Sequence, residues 1–414
     1  MKGQGTAVFT AGLSRERLGH FADGLAVAVA IALPWSTSAI SIMVPIWLVV
    51  LASTLDFARL SRVLRTPAGG LPVLLWAVTI VGMAWSDASW ADKVEAVRGV
   101  HRLLLIPLLL VQFNHSEAGA RVMAGFLASC TALLVVSWGL MLLPNPTSWM
   151  GRFPGIPVKD YLVQSGEFLL CAYGLSHWGL DEWRAGRRGR ALALAGLAVG
   201  FMSNIAFVAT GRSTLLVAAV LVIIFGLQRF GWRGRLGLIG ASALLAIGVW
   251  HSSAYLRQRV LAVPVEVSRY VDNNAETSSG LRLEWWTKSL DLVASAPLVG
   301  HGTGSIPRLL GGEPGDSAWI TGNPHNVTLE IAIQLGLLGV VVLYAMWAAH
   351  LLLFRGSGLA AWIGFGLVVQ DIIGSLFLSH LLDFSTGWVY VLGVGIVGGT
   401  VLRERRALER PQPT

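Results

Sequence analysis

The sequence predicts an all-α, polytopic integral membrane protein of about twelve spans, and three observations carry that reading. Of the 414 residues, 54% are hydrophobic and only 13% are charged, whereas soluble domains carry about 25% charged residues. Apolar runs of roughly 17–25 residues recur along the chain, long enough at 1.5 Å per residue to cross a hydrocarbon core of about 30 Å. Of the 31 Lys and Arg residues, 19 fall in the two terminal segments and the short segments between alternate runs, as on the inside of membrane proteins. The net charge of +8 therefore needs no nucleic acid to explain it, and none is expected as a partner.

The predicted spans lie near residues 20–36, 39–56, 71–86, 98–113, 120–143, 162–181, 191–209, 213–228, 236–250, 326–353, 359–379 and 386–402. The first follows a polar, basic start (Lys2, Arg15, Arg17) and lacks a small-residue cleavage site, so it reads as an uncleaved span. Cys130 and Cys171 fall inside apolar runs and read as packing residues. The 17 Trp residues suit interfacial belts or packing. The short basic segments "EWRAGRRGR" (182–190) and "QRFGWRGR" (228–235) set the orientation. With these inside, both termini are cytoplasmic and residues 251–325 form a large outward loop between spans nine and ten. The chain reads as a single transmembrane domain, 1–414, with that loop inserted.

A loop of this length is expected to carry function. Within it, "SSGLRLEWWTKSLDLVASAP" (278–297) opens on Ser and Gly, spaces its apolar residues helically and stops at Pro297. It is expected to form an amphipathic helix near the membrane surface. "VGHGTGSIPRLLGGEPG" (299–315) is rich in Gly and Pro and reads as an irregular, mobile segment, its "GHGTGS" a flexible turn more than a nucleotide site.

The tenth span opens on "NPHN" (323–326). Asn323 suits an N-cap and Pro324 a first helical position, which puts His325 in the first turn at the outer boundary. The positive helix end disfavours an imidazolium there, and a neutral imidazole suits a general base. An interfacial anchor is the competing reading. Arg212 lies in "ATGRSTLL", a tight outward turn between two spans, and needs an anionic partner. Arg282 sits on the loop helix beside Trp285 and Trp286, and Arg152 lies in another outward loop, "GRFPGIPVKDY". Several guanidiniums on one face would grip a phosphate or pyrophosphate; snorkelling to lipid headgroups is the alternative, and as strong for Arg152.

No Asp-x-Asp pair, zinc-type His/Cys spacing, Walker loop or Gly-x-Ser-x-Gly occurs. Phosphate chemistry is thus expected to run on arginine charge, with no metal and no cofactor. Glu167 and Asp371, inside spans, and His380 and Asp383, in an outward turn, are secondary candidates, each equally well explained by packing or exposure.

These residues resemble those of the O-antigen ligases and their polymerase relatives. His325-Asn326, nine residues, then Gly336-Leu-Leu-Gly339 is similar to the family pattern His-Asn-x9-Gly-x-x-Gly; Arg212 with Leu216 is similar to its Arg-x3-Leu. Arg282 sits where the family carries a loop arginine, and the layout of spans around a large periplasmic loop is similar too. The resemblance implies a GT-C-like membrane enzyme of the bacterial inner membrane with a periplasmic site. It implies inverting, metal-independent transfer of a glycan from undecaprenyl pyrophosphate to a lipid A-core oligosaccharide. In it, Arg212 and Arg282 hold the pyrophosphate, His325 activates the acceptor hydroxyl, and Arg152 and Asn326 help to bind substrate. O-antigen polymerase and protein O-oligosaccharyltransferase remain as relatives with the same motifs. A lipid or solute transporter is the alternative of a different class.

Overall fold

A computed structural model describes residues 3–142, 154–273, 277–311 and 323–409. Among them every regular element is helical: α1 Gly3–Ala32, α2 Thr37–Thr54, α3 Phe57–Leu64, α4 Pro67–Gly82, α5 Trp90–Val100, α6 Leu105–Phe113, α7 Gly119–Met141, α8 Tyr161–Arg184, α9 Arg188–Phe207, α10 Arg212–Arg229, α11 Trp232–Ser252, α12 Ala254–Asn273, α13 Ser278–Ser295, α14 Ile306–Leu310, α15 Val327–Leu353, α16 Leu359–Ser375 and α17 Phe384–Glu409, with a 3-10 turn His101–Leu104 joining α5 to α6. Seven of these helices are long and apolar enough to cross a membrane, or eight if the sharply bent pair α3–α4 is one span. The protein is a polytopic membrane protein. The remaining expected spans contain helices that are shorter, such as α16, interrupted, as where α5 passes into α6, or charged, as in α8 with Glu167, Asp181 and Glu182.

Local chemistry sets the helix starts. Ser36, Asp56, Thr66 and Asp160 each turn a side-chain oxygen onto the free N–H groups of α2, α3, α4 and α8, and Pro67 occupies the first position of α4. Two apolar clusters hold the bundle. The larger joins α1, α2, α4, α6, α15, α16 and α17 around Trp47, Phe113, Trp347 and Tyr390. The smaller joins α7, α8, α9 and α10 around Phe168 and Phe201, whose ring centroids lie 4.9 Å apart. Cys130 and Cys171 are free and buried in the second cluster. By contrast α11 has no buried side chain.

Helix α15 is not continuous. Gly336 has φ 61° and ψ −156°, which breaks the backbone ladder inside an apolar helix. The freed groups are taken up by the Gly-rich segment that follows α13. Leu337 N–H donates to the Pro297 carbonyl at 2.8 Å and Leu338 N–H to that of Leu298 at 3.2 Å. In return, His301 N–H donates to the Ile333 carbonyl at 2.8 Å and Gly302 N–H to that of Gln334 at 2.9 Å. Thr303 extends the clasp to α4, its N–H on the Gly82 carbonyl and its hydroxyl on that of Thr79 at 2.6 Å. This segment, expected to be a mobile turn, is instead packed in, and Thr303 and Ser305 are fully buried. An unpaired backbone group at membrane depth costs several kcal/mol, which is why the loop must enter the break.

Only glycine fits this junction. A Cβ on Gly336 would stand 2.4 Å from the Leu298 carbonyl carbon, and one on Gly300 (φ +67°) 2.5 Å from that of Gln334. Gly336→Ala and Gly300→Ala should each lose at least about 2 kcal/mol from combined strain and backbone clash. Gly240→Ala on α11, with nothing within 4 Å, should be neutral or slightly stabilising. Thermal melting of the three variants in detergent checks this; equal midpoints would remove the clasp from the account.

Candidate active site

The turn 208–211 delivers Arg212 to the first position of α10. Its Nη1 donates to Glu266 Oε2 at 3.1 Å and to Ser279 Oγ at 3.3 Å. Glu266, on α12, also receives the Ser279 N–H at 3.2 Å and its hydroxyl at 2.5 Å, and the Thr277 hydroxyl donates to its backbone carbonyl at 2.8 Å. Thr277 in turn caps α13 by accepting the Gly280 N–H. Three helices thus meet at one carboxylate. Burial alone would raise the Glu266 carboxyl, but the hydrogen bonds from Ser279 and Arg212 and the charge of Arg212 hold it below the usual carboxylate range.

Helix α13 occupies the stretch expected from the sequence, and it carries Arg282 to this cluster. The guanidinium is half-buried, and burial, the positive Arg212 and, more weakly, Arg259 pull its pKa down against the opposing influence of Tyr161 and Glu266. Among the described residues it forms no hydrogen bond or ion pair. Arg259, on α12, lies over the Tyr161 ring at 5.0 Å. A half-buried cation with no counter-ion among the described residues, next to a second cation, is a strong demand for an anion.

The same helix α13 closes over the mouth of α15. Trp286 Nε1 donates to the Pro324 carbonyl at 2.9 Å, and the Trp285 ring lies 5.4 Å from that of His325. The start of α15 differs from the expectation. Asn326, not Asn323, is the N-cap: its Oδ1 accepts the Leu329 N–H at 3.1 Å, and its Nδ2 donates to the Leu376 carbonyl at 3.1 Å. Asn323 Oδ1 instead accepts the His325 N–H at 2.7 Å and the Ser379 hydroxyl at 3.1 Å, a side-chain turn of the kind Asn readily forms. His325 therefore lies just before the cap, in the left-handed region at φ 49°. Strain in a non-glycine residue marks a position that its surroundings over-determine.

Burial, with the positive Arg282 adding to it, lowers the His325 pKa to about 4. The imidazole is neutral at physiological pH, and neither ring nitrogen is hydrogen-bonded among the described residues. Such a group accepts a proton from a hydroxyl, while the guanidiniums beside it receive negative charge. Among the described residues, no group of three or more His, Cys, Asp or Glu is arranged to hold a metal ion.

Arg212, Arg282 and His325 thus converge, whereas Asn326 acts on the backbone of α15 and Arg152 lies outside the described residues. The secondary candidates lie elsewhere or serve structure. Glu167 is 3.5 Å from Lys159 Nζ, Asp371 accepts the Trp347 indole N–H at 3.0 Å, His380 packs against Gly374, and Asp383 accepts the Ser385 N–H at the start of α17. Sequence reasoning missed Glu266, Ser279, Arg259 and Tyr161. No motif marks them, although Glu266 and Arg259 share a loop already expected to be functional.

Among curated proteins, none matches this chain. Residues 197–344 match the family model described as Wzy_C, O-antigen ligase, a stretch that holds Arg212, Glu266, Arg282, His325 and Gly336. Over residues 197–344, then, the chain is similar to the O-antigen ligase family, and the match covers the part of the chain that holds the site.

Proposed function

We propose that this protein is an O-antigen ligase, transferring a glycan from undecaprenyl pyrophosphate to a sugar hydroxyl of a lipid A-core oligosaccharide with inversion at the anomeric carbon. The observation that supports it best is the Arg282 guanidinium, unpaired among the described residues, beside Arg212 and next to a neutral His325. His325 takes the proton of the acceptor hydroxyl as that oxygen bonds to the anomeric carbon. The anomeric carbon–oxygen bond to the pyrophosphate breaks on the opposite face, and the leaving group carries the electron pair. Arg212 and Arg282 neutralise the charge that develops there, the role a divalent metal plays in other sugar transferases. Arg152 assists in holding the donor phosphates, and Asn326 keeps the histidine at the helix mouth through its cap. The donor is already activated, so no cofactor is needed.

Both substrates are lipid-anchored, which suits a site at the membrane surface. The distribution of basic residues supports cytoplasmic termini, and hence a periplasmic site on the bacterial inner membrane. With the shorter, interrupted and charged helices counted as passes, the chain crosses about twelve times as one domain, the loop 251–325 standing between the ninth and tenth. Polymerase and protein O-oligosaccharyltransferase would use the same donor and differ in acceptor; loop and chain length favour the ligase. The transporter reading draws no support from the family match.

Transfer by the purified protein in detergent, with undecaprenyl-pyrophosphate glycan and lipid A-core, tests this reading. Wild type should give product, and His325→Ala should lose about 10²–10⁴ of the rate while still binding donor. Chain extension of the donor alone would mean a polymerase, and unaltered turnover of His325→Ala would remove the histidine from its role. Arg212→Lys should also be severely impaired, since an ammonium cannot reproduce the guanidinium fork; wild-type kcat/KM in that variant would show that Arg212 does not grip the pyrophosphate.

A further inference from the structure

Glu266 is the one acidic side chain among the described residues that pairs with the arginines of the site. Its carboxylate occupies Arg212, at 3.1 Å, in the position an incoming phosphate oxygen would need. Both partners are largely shielded, with side-chain exposures of 20% for Arg212 and 24% for Glu266. Arg282, one turn along α13 from Ser279, has no such partner among the described residues. Of these two arginines, then, among the described residues one guanidinium is neutralised and one is free.

That asymmetry has a consequence for a site at a membrane surface. Exposed basic clusters there attract anionic phospholipids, which are present in great excess over any glycan donor. A phospholipid headgroup such as phosphatidylglycerol is a phosphodiester with a single negative charge. Exchanging it for the Glu266 carboxylate on Arg212 replaces one monoanion by another and gains little. A pyrophosphate diester carries a negative charge on each phosphate. One phosphate can meet the free Arg282 while the other displaces Glu266, so the same exchange gains a second ion pair.

We infer that Glu266 is a specificity residue: a resident counter-anion on Arg212 that leaves a monoanionic phospholipid headgroup only Arg282 to pair with and yields to a lipid pyrophosphate, which pairs with both arginines. The inference rests on the assignment of Arg212 and Arg282 to the donor pyrophosphate. Glu266 touches no reacting atom in this scheme and acts through Arg212. The Thr277 hydroxyl, which donates to the Glu266 backbone carbonyl, need not move in the exchange; when the Glu266 side chain swings away, the Ser279 N–H and hydroxyl are released to donate to the incoming phosphate.

The test uses full-length protein in mixed micelles with Glu266→Gln, which keeps the shape and removes the charge, and with Glu266→Asp, which keeps the charge. In Glu266→Gln the donor KM should fall roughly fivefold, the worth of one partly exposed ion pair. Added phosphatidylglycerol should then raise that KM severalfold more steeply than in wild type or Glu266→Asp, where it can compete for Arg282 alone. A higher KM in Glu266→Gln, or the same response to phosphatidylglycerol as wild type, would overturn the inference and leave Glu266 as a mere brace for Arg212. Binding is read in parallel by quenching of tryptophan fluorescence with phosphatidylglycerol and with undecaprenyl pyrophosphate, and does not depend on turnover. Loss of the preference for pyrophosphate in Glu266→Gln upholds the filter even if no glycan is transferred, in which case only the ligase reading falls. An unchanged preference overturns the filter whatever the transfer assay shows.

Discussion

An apolar helix that breaks inside a membrane protein must have its free N–H and C=O groups paired by something other than water. In this protein the break is at Gly336, and the pairing comes from residues 297–302, which follow directly on α13. The hydrogen bonds are reciprocal: α15 donates to the loop on one side of the break and accepts from it on the other. The clasp also reaches α4 through Thr303. A loop that would otherwise drift at the surface is thereby fixed to the bundle at a defined register, and everything N-terminal to it on α13 is fixed as well.

The site inherits its geometry from that anchor. With its C-terminal end held at the break, α13 lies across the mouth of α15, so that Trp285 and Trp286 cover His325 and Pro324 and Arg282 lies close enough to depress the imidazole pKa. The other end of α13 meets Arg212 through Ser279 and Glu266. One short helix therefore joins the two cations to the neutral base. The chemistry follows from the burial: water is displaced from the histidine, the charged imidazolium is disfavoured, and the same low-dielectric setting strengthens the pull of the guanidiniums on an anion.

Much of this was legible from residue order, and the exceptions share a cause. Helix α13 was readable because its limits are local: Ser and Gly at the start, Pro297 at the end. His325, Arg212 and Arg282 stood out as polar groups at the ends of apolar runs. The N-cap of α15 was misassigned because both Asn323 and Asn326 satisfy the local rule, and the choice is made by a distant group, the Leu376 carbonyl that holds the Asn326 amide. The Gly-rich stretch looked mobile because its glycines fit a flexible turn as well as a buried one; their positive φ values and the carbonyls they meet belong to the tertiary structure. Glu266 was invisible for the same reason, since an ion pair 54 residues apart leaves no periodic trace. Span counting is weakest where helices are short, kinked or charged, as in α5–α6, α8 and α16.

The central claim is that a neutral, half-buried imidazole beside a guanidinium is the base. It is tested most directly by the pH dependence of kcat/KM for glycan transfer, which reports the ionisation of the free enzyme. His325 accepts a proton only when unprotonated, so a pKa lowered to about 4 extends activity toward acid. The account predicts a flat profile from neutrality down to about pH 5 and a fall through about pH 4, one unit of rate lost per unit of pH below it on a logarithmic scale. An acid limb near pH 6.5, the ordinary imidazole value, would contradict it, because the histidine would then be neither desolvated nor held beside Arg282 as described.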